Sequence, residues 1–226
     1  SPSLPGAREL MAKAIDAKGG LDKLKAVRTV VAEAKTTFRV QPSPLPSTTT
    51  TYVLYPDRFR VDADVAGAKV AQVYDRGAAW LRDPNGVADA PIPMRAQFAA
   101  SVQRDMIPLL LAAAEGTRTA RLLPEETKDG RPYRVVEIAG GIAKDPVRLY
   151  IDGQGLVARQ AYVDTDPAGR RVQVEEVFSD YRSVDGIQVP FHAELRHNGQ
   201  AVLDRVLTSV KINTDIAPAM FEKPNR

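Results

Sequence analysis

Histidine is the side chain that changes charge near neutral pH and the commonest metal ligand, and this chain of 226 residues has two, His192 and His197. They stand five apart on one predicted strand. Residues an odd number apart on a strand point to opposite faces, so the pair cannot grip one ion, and both read as surface or loop histidines. The chain contains no Cys, which removes thiolate nucleophiles, Cys-built zinc sites and disulfides. Gly-x-Ser-x-Gly, the nucleophile elbow of one large hydrolase class, is absent. So are both standard Gly-rich phosphate loops and His-x-x-Glu-His. Gly140-Gly141 lies between predicted strands, with no helix N-terminus to turn amides toward an anion.

Carboxylates are the other source of chemistry. A general acid needs its pKa lifted by burial or by a like charge. Glu125, Glu126, Asp164 and Asp166 lie beside predicted turns, where burial is least, and Asp62 and Asp64 share a charged strand face with Arg58 and Arg60. Glu176 differs. If Val172, Val174 and Phe178 face inward, period two carries Glu176 inward with them. Such an acid could anchor the polar head of a ligand or meet an arginine, and the rule that buried charges are paired favours the arginine. The sequence therefore names no catalytic residue, metal ligand or cofactor.

The elements that would position these groups are mostly strands. An apolar stripe, Leu10, Met11, Ala14 and Ile15, predicts a helix over 7–18, closed by Gly19-Gly20. A short helical turn over 21–27 follows. From Thr29 the period becomes two, with Val30, Ala32, Ala34, Thr36, Phe38 and Val40 on one side. The prolines of 41–46 take the chain out of the sheet. Strands follow over 47–55, 58–65, 69–75 and 78–82. Met94, Phe98, Val102 and Met106 recur every four residues, predicting a helix over 94–114 that bends or restarts at Pro108. Beyond Gly116 hairpin signals return, among them Asp129-Gly130, Asp152-Gly153, Asp185-Gly186 and Asn198-Gly199 between alternating runs. Successive up-and-down strands without a crossover helix predict an antiparallel meander. The fold class expected is mainly β (α+β): one open antiparallel barrel or strongly curved sheet with covering helices. Residues 1–6 read as a flexible lead-in and 7–226 as one domain.

Charge excludes one class of partner. Lys plus Arg number 31 against 28 for Asp plus Glu, and the signs are mixed along the chain. A nucleic-acid surface would need a basic stripe with stacking aromatics, and the sequence has none. No run approaches the ~20 apolar residues of a membrane span. What stands out is apolar surface: a long open sheet must cover one face, and only three helical segments are predicted to do it. Either the helices plug the concavity and the Met94 stripe is ordinary core, or they leave a slot for an acyl chain.

Several segments resemble the outer-membrane lipoprotein-sorting superfamily of LolA and LolB type. At the start these are Glu9-Leu10-Met11-Ala12-Lys13-Ala14 and Gly19-Gly20-Leu21-Asp22-Lys23-Leu24. Later come Leu149-Tyr150-Ile151-Asp152, Phe178-Ser179-Asp180-Tyr181-Arg182, Val184-Asp185-Gly186-Ile187-Gln188-Val189-Pro190-Phe191 and Phe221-Glu222-Lys223-Pro224. The resemblance implies a partly closed antiparallel barrel with a helical lid, a periplasmic location with a signal segment removed, and a cavity for lipids or lipoprotein acyl chains. It leaves room for a membrane anchor upstream of Ser1.

The expected function is that of an extracytoplasmic carrier or chaperone, monomeric, without enzymatic activity, with envelope membrane proteins as partners. Its apolar lining is assigned to Phe38, Phe59, Val61, Met94, Phe98, Val102, Met106 and Leu110, with Glu176 as polar anchor. Two rivals stand beside it. One is a small cofactor-free enzyme on an apolar substrate, using Glu176, a Tyr or an Arg for proton transfer. The other is an accessory docking module of an envelope or peptidase complex.

Overall fold

A computed structural model describes residues 5–166 and 169–224. The apolar stripe and double glycine produce α1 (Pro5–Lys18) and α2 (Leu21–Ala26). Gly19 is where a side chain would be excluded: its φ is 145° and a Cβ there would lie 2.7 Å from the Gly186 carbonyl oxygen. The close approach pins the end of α1 to a distant hairpin turn. Because α1 begins at Pro5, Pro5 and Gly6 are helical rather than part of a lead-in; Ser1–Leu4 lie outside the described residues.

The alternating segments form two meanders. The first comprises β1 (Thr29–Phe38), β2 (Leu45–Leu54), β3 (Arg58–Val65), β4 (Ala68–Asp75), β5 (Ala78–Asp83) and β6 (Gly86–Asp89). The second comprises β7 (Thr119–Lys128), β8 (Arg131–Ala139), β9 (Val147–Ile151), β10 (Val157–Thr165), β11 (Arg171–Val184), β12 (Ile187–His197) and β13 (Gln200–Ile212). β1 pairs antiparallel with β13, which joins the meanders into one open sheet of 13 strands, with β6 and β7 as its edges. Sheets of more than about ten strands curl. The chain must travel from one edge to the other, and α3 (Ile92–Arg104) and α4 (Met106–Glu115) make that passage. They cross the face that carries the apolar side chains.

The helix layer covers this inner face unevenly. α1 and α4 bury Leu10, Met11, Ile107, Leu109 and Leu110 against Val136, Ile138, Val147, Leu149 and Ile151 of β8 and β9. α3 sets Phe98 on Phe59, Tyr74 and Ala79, and the Phe59 and Phe98 rings meet edge to face at 5.2 Å. The outer face has a clasp of its own, in which the short 3-10 helix Pro218–Phe221 buries Phe221 against Val73 and Trp80. The Trp80 indole N–H donates to the Phe221 carbonyl at 2.9 Å.

Two local expectations are corrected, and two elements, β6 and the C-terminal 3-10 helix, went unpredicted. The predicted helix over 94–114 is two helices, and they part at Asp105 rather than Pro108. Asp105 has extended backbone and caps α4, accepting from the Ile107 N–H at 3.1 Å. That puts Pro108 in the first turn, where its missing N–H is not needed. β6 is too short for its alternation to register in sequence. The C-terminal 3-10 helix rests on a tertiary contact. β2 starts at Leu45 and carries Pro46 at its beginning, a position strands tolerate.

Candidate functional site: the uncovered part of the inner face

Strand register assigns each side chain to a face, because directly paired residues share one. Phe59 and Val61 of β3 pair with Val53 and Thr51 of β2, and Thr51 pairs with Ala32 of β1. Phe38 pairs with Leu45 on one side and Leu203 on the other, and Leu203 pairs with Leu195. Ala34 and Thr36 bring Leu207 and Arg205 to the same face. Phe38, Leu45, Leu195, Leu203 and Leu207 thus share the inner face with Val61, Ala63 and Val65, which lie across the Ser47, Thr49 and Thr51 row of β2. All eight apolar residues are half-buried and none belongs to the apolar clusters packed under the helices. Contiguous apolar surface left partly open to water marks where an interaction site is sought.

At its inner end the wall runs under α3 into a cavity of about 220 Å³. Thr51, Val53, Tyr55, Phe59, Val61, Val102, Asp105 and Arg205 line it. This is below the ~300–1,000 Å³ of an ordinary ligand pocket. A second cleft of about 600 Å³ lies between α1 and α4, lined by Met11, Ile15, Leu21 and Ala113 together with Arg8, Asp16, Glu115 and Arg118.

The assigned lining residues divide accordingly. Phe59, Met94, Phe98 and Val102 come together beneath α3; Val61 borders the cavity, and Phe38 stands on the open wall. Leu110 is fully buried between α1 and the sheet, and Met106 packs at the edge of that same core. Helical periodicity put Met106 and Leu110 on one stripe with Phe98, but the break at Asp105 turns α4 toward a different cluster.

Glu176 faces inward, paired across β11 and β12 with Leu195. The arginine expected to meet it does not. Tyr162 donates to Glu176 Oε1 at 3.1 Å, while Arg104 lies 4.0 Å from the centre of the Tyr162 ring and donates to Asp164 Oδ2 at 3.0 Å. An acid, a tyrosine and an arginine are thus assembled, as the enzyme rival requires. Burial and the neighbouring Glu176, however, push the Tyr162 hydroxyl far above its usual range. It holds its proton at neutral pH and is a structural donor.

A second polar group ties the helix layer down. Asp105 Oδ1 accepts from the Tyr55 hydroxyl at 2.9 Å as well as from the α4 amide. Burial raises its carboxyl pKa, with Glu176 adding to the effect and the hydrogen bonds and Lys18 opposing it. Lys18, at the end of α1, donates to the Gln188 carbonyl at 2.9 Å, and burial lowers it from 10.5 to about 8 despite the attraction of Asp105. Between those values the unfolded chain keeps a proton that the folded protein has released. The Lys18 contribution to folding stability should therefore rise with pH from about 8 to 10.5, by at most about 3 kcal/mol. Urea midpoints measured from pH 7 to 9, below the range in which the tyrosines of the unfolded chain ionise, should show the first ~1 kcal/mol of that rise in the wild type and a flat profile in Lys18→Met.

The two histidines lie on opposite faces, as their spacing requires. On the outer face Ser179 Oγ meets His192 Nδ1 at 2.8 Å, and His192 Nε2 meets Asp204 at 2.8 Å. The sequence concealed this line, since its members come from three strands. It has the three side chains of a hydrolytic triad with the ring nitrogens exchanged, Nδ1 toward the serine and Nε2 toward the carboxylate. The outer-face groove of about 820 Å³ has mixed charge, with Arg159 on Glu175 at 3.0 Å and Arg171 on Asp145 at 2.9 Å. Among the described residues no three of His, Asp and Glu converge as metal ligands would, and no helix is long and apolar enough to cross a membrane.

No family model matches the chain, and no curated protein does. Solved structures do. A DUF1329 family protein from Desulfovibrio piger superposes with a TM-score of 0.66 at 16% identity, covering 98% of both chains. A LolA superfamily protein from Nitrosomonas europaea gives 0.60 at 14% identity, covering 96% of this chain and 97% of its own. A domain from Vibrio parahaemolyticus, described as an outer-membrane lipoprotein-sorting protein, gives 0.56 at 12% identity and 96% coverage of both. At these identities the likeness is one of fold. The chain has the LolA-like architecture, an open curved antiparallel sheet with helices across its inner face.

Proposed function

We propose that this LolA-like chain is an extracytoplasmic carrier that takes up lipids or lipoprotein acyl chains along its inner face. One observation carries the reading: among the described residues no helix packs on the half-buried apolar side chains Phe38, Leu45, Leu195 and Leu203, and the same face leads past Val61 into the cavity under Val102. The helices cover the β7–β9 side and the β4–β5 side and leave the middle open. Burying hydrocarbon there is worth about 0.8 kcal/mol per methylene. Roughly ten covered methylenes supply ~8 kcal/mol before the cost of association. Entry displaces α3, which is bounded by Pro91 and Asp105 and held down by Phe98. The description of the Vibrio parahaemolyticus neighbour as an outer-membrane lipoprotein-sorting domain supports this reading, and with it a place outside the cytoplasm.

Native mass spectrometry of gently purified protein tests it. Lipid adducts should be present and should disappear on delipidation. Removing the ligand should lower stability by about 3 kcal/mol if it had been present at a hundred times its Kd. A bare polypeptide mass, with no uptake of palmitate by the delipidated protein, would refute the proposal.

A further inference from the structure

The carrier's cargo has two ends, and the inner face is polar at one point. Arg205 lies between Leu203 and Leu207 on β13, on the inner face opposite Thr36 and Ala193, and borders the cavity under α3. It is half-buried. Among the described residues it takes part in no ion pair, hydrogen bond or ring contact. The other arginine on the cavity wall, Arg58, is held by Asp75 at 2.9 Å. Asp105, the cavity's carboxylate, has its Oδ1 occupied by Tyr55 and the α4 amide. The Thr51 hydroxyl, on the same wall, is another group that can donate. A half-buried guanidinium with no acceptor from the protein has its donors free for a ligand, and its planar fork matches the two oxygens of a carboxylate or phosphate.

We infer that Arg205 receives the anionic head of the cargo, a carboxylate or a phosphate, while the tail lies along the Phe38–Leu203 wall. The inference rests on the carrier reading and makes the preferred ligand an anionic single-chain amphiphile. Three probes with the same chain separate the possibilities: palmitic acid, palmitoyl lysophosphatidic acid and methyl palmitate. Each is titrated into delipidated wild type, Arg205→Met and Arg205→Lys, with the thermal midpoint checking that each variant is folded.

The wild type should bind at least one of the anionic probes ten times or more tighter than methyl palmitate, and the tighter one identifies the head as carboxylate or phosphate. Arg205→Met should erase the preference and leave methyl palmitate unchanged; Arg205→Lys should restore part of it. Equal binding of all three probes by the wild type, or a preference that survives in Arg205→Met, overturns the head-group assignment while leaving the carrier intact. Failure of the wild type to bind any of the three removes both.

Discussion

Phe38→Asp should weaken palmitate binding by about a hundredfold and leave the protein folded. Phe38 ends β1 on the inner face, between Leu45 and Leu203. Its side chain is half-buried, so in the free protein a carboxylate there keeps its water, and the stability cost should stay near 1–2 kcal/mol. An acyl chain laid on the wall would strip that water. Leaving a polar group unpaired against hydrocarbon costs on the order of 3 kcal/mol, which is the hundredfold loss. Val206→Asp is the control. It lies on the neighbouring strand with its side chain turned to the outer face, 42% exposed, and should change neither binding nor stability. Equilibrium binding of radiolabelled palmitate with thermal melts of all three proteins decides the matter. Equal affinities would place the ligand somewhere other than the Phe38 wall.

The second large effect is on stability. Asp105 carries three duties at the joint between α3 and α4: it caps α4, accepts the Tyr55 hydroxyl, and faces the Lys18 charge. Loss of the cap costs about 1 kcal/mol, and a buried hydroxyl left without an acceptor costs about 1–3 kcal/mol more. Asp105→Ala should therefore lower unfolding free energy by about 3 kcal/mol, read as a shifted urea midpoint at constant slope. Asp105→Asn keeps an acceptor oxygen in the same place and should lose no more than about 1 kcal/mol. Equal losses in both variants would mean that the charge facing Lys18, rather than the cap and the Tyr55 bond, holds the joint.

The joint bears on the proposed carrier role because α3 lies over the cavity. α3 is fastened at one end by Asp105 and along its length by Phe98, and it is not fused into α4. A helix unbroken as far as Pro108, where periodicity predicts the bend or restart, would have joined α3 to the first turn of α4. Asp105 was legible only as one more charge in a greasy run. An Asx residue two to three positions ahead of a proline is nevertheless a sound N-cap signal, and it would have placed the break.

Arg205 was similarly open to reading. On the alternating run 201–212 it shares its face with Leu203 and Leu207, a charge on the apolar side of a strand. Glu176 drew attention on the same argument and does face inward, yet Tyr162 satisfies it. Period two says which way a side chain points. It does not say who stands opposite, because Tyr162 and Glu176 are brought together by pairing between β10 and β11.

The sequence by itself determined the local elements: the alternation that makes strands, the glycines and Asp-Gly turns that return them, and the stripes that make α1 and α3. Each follows from interactions among residues a few positions apart. Only the tertiary structure decided that β1 meets β13, that β6 and β7 are edges, and that α3 and α4 must bridge them. The β1–β13 pairings join residues far apart in sequence, from Phe38 with Leu203 to Val30 with Ile212, and no local pattern encodes them. The open wall is a consequence of that closure, since which part of the inner face stays uncovered depends on where the bridging helices happen to lie.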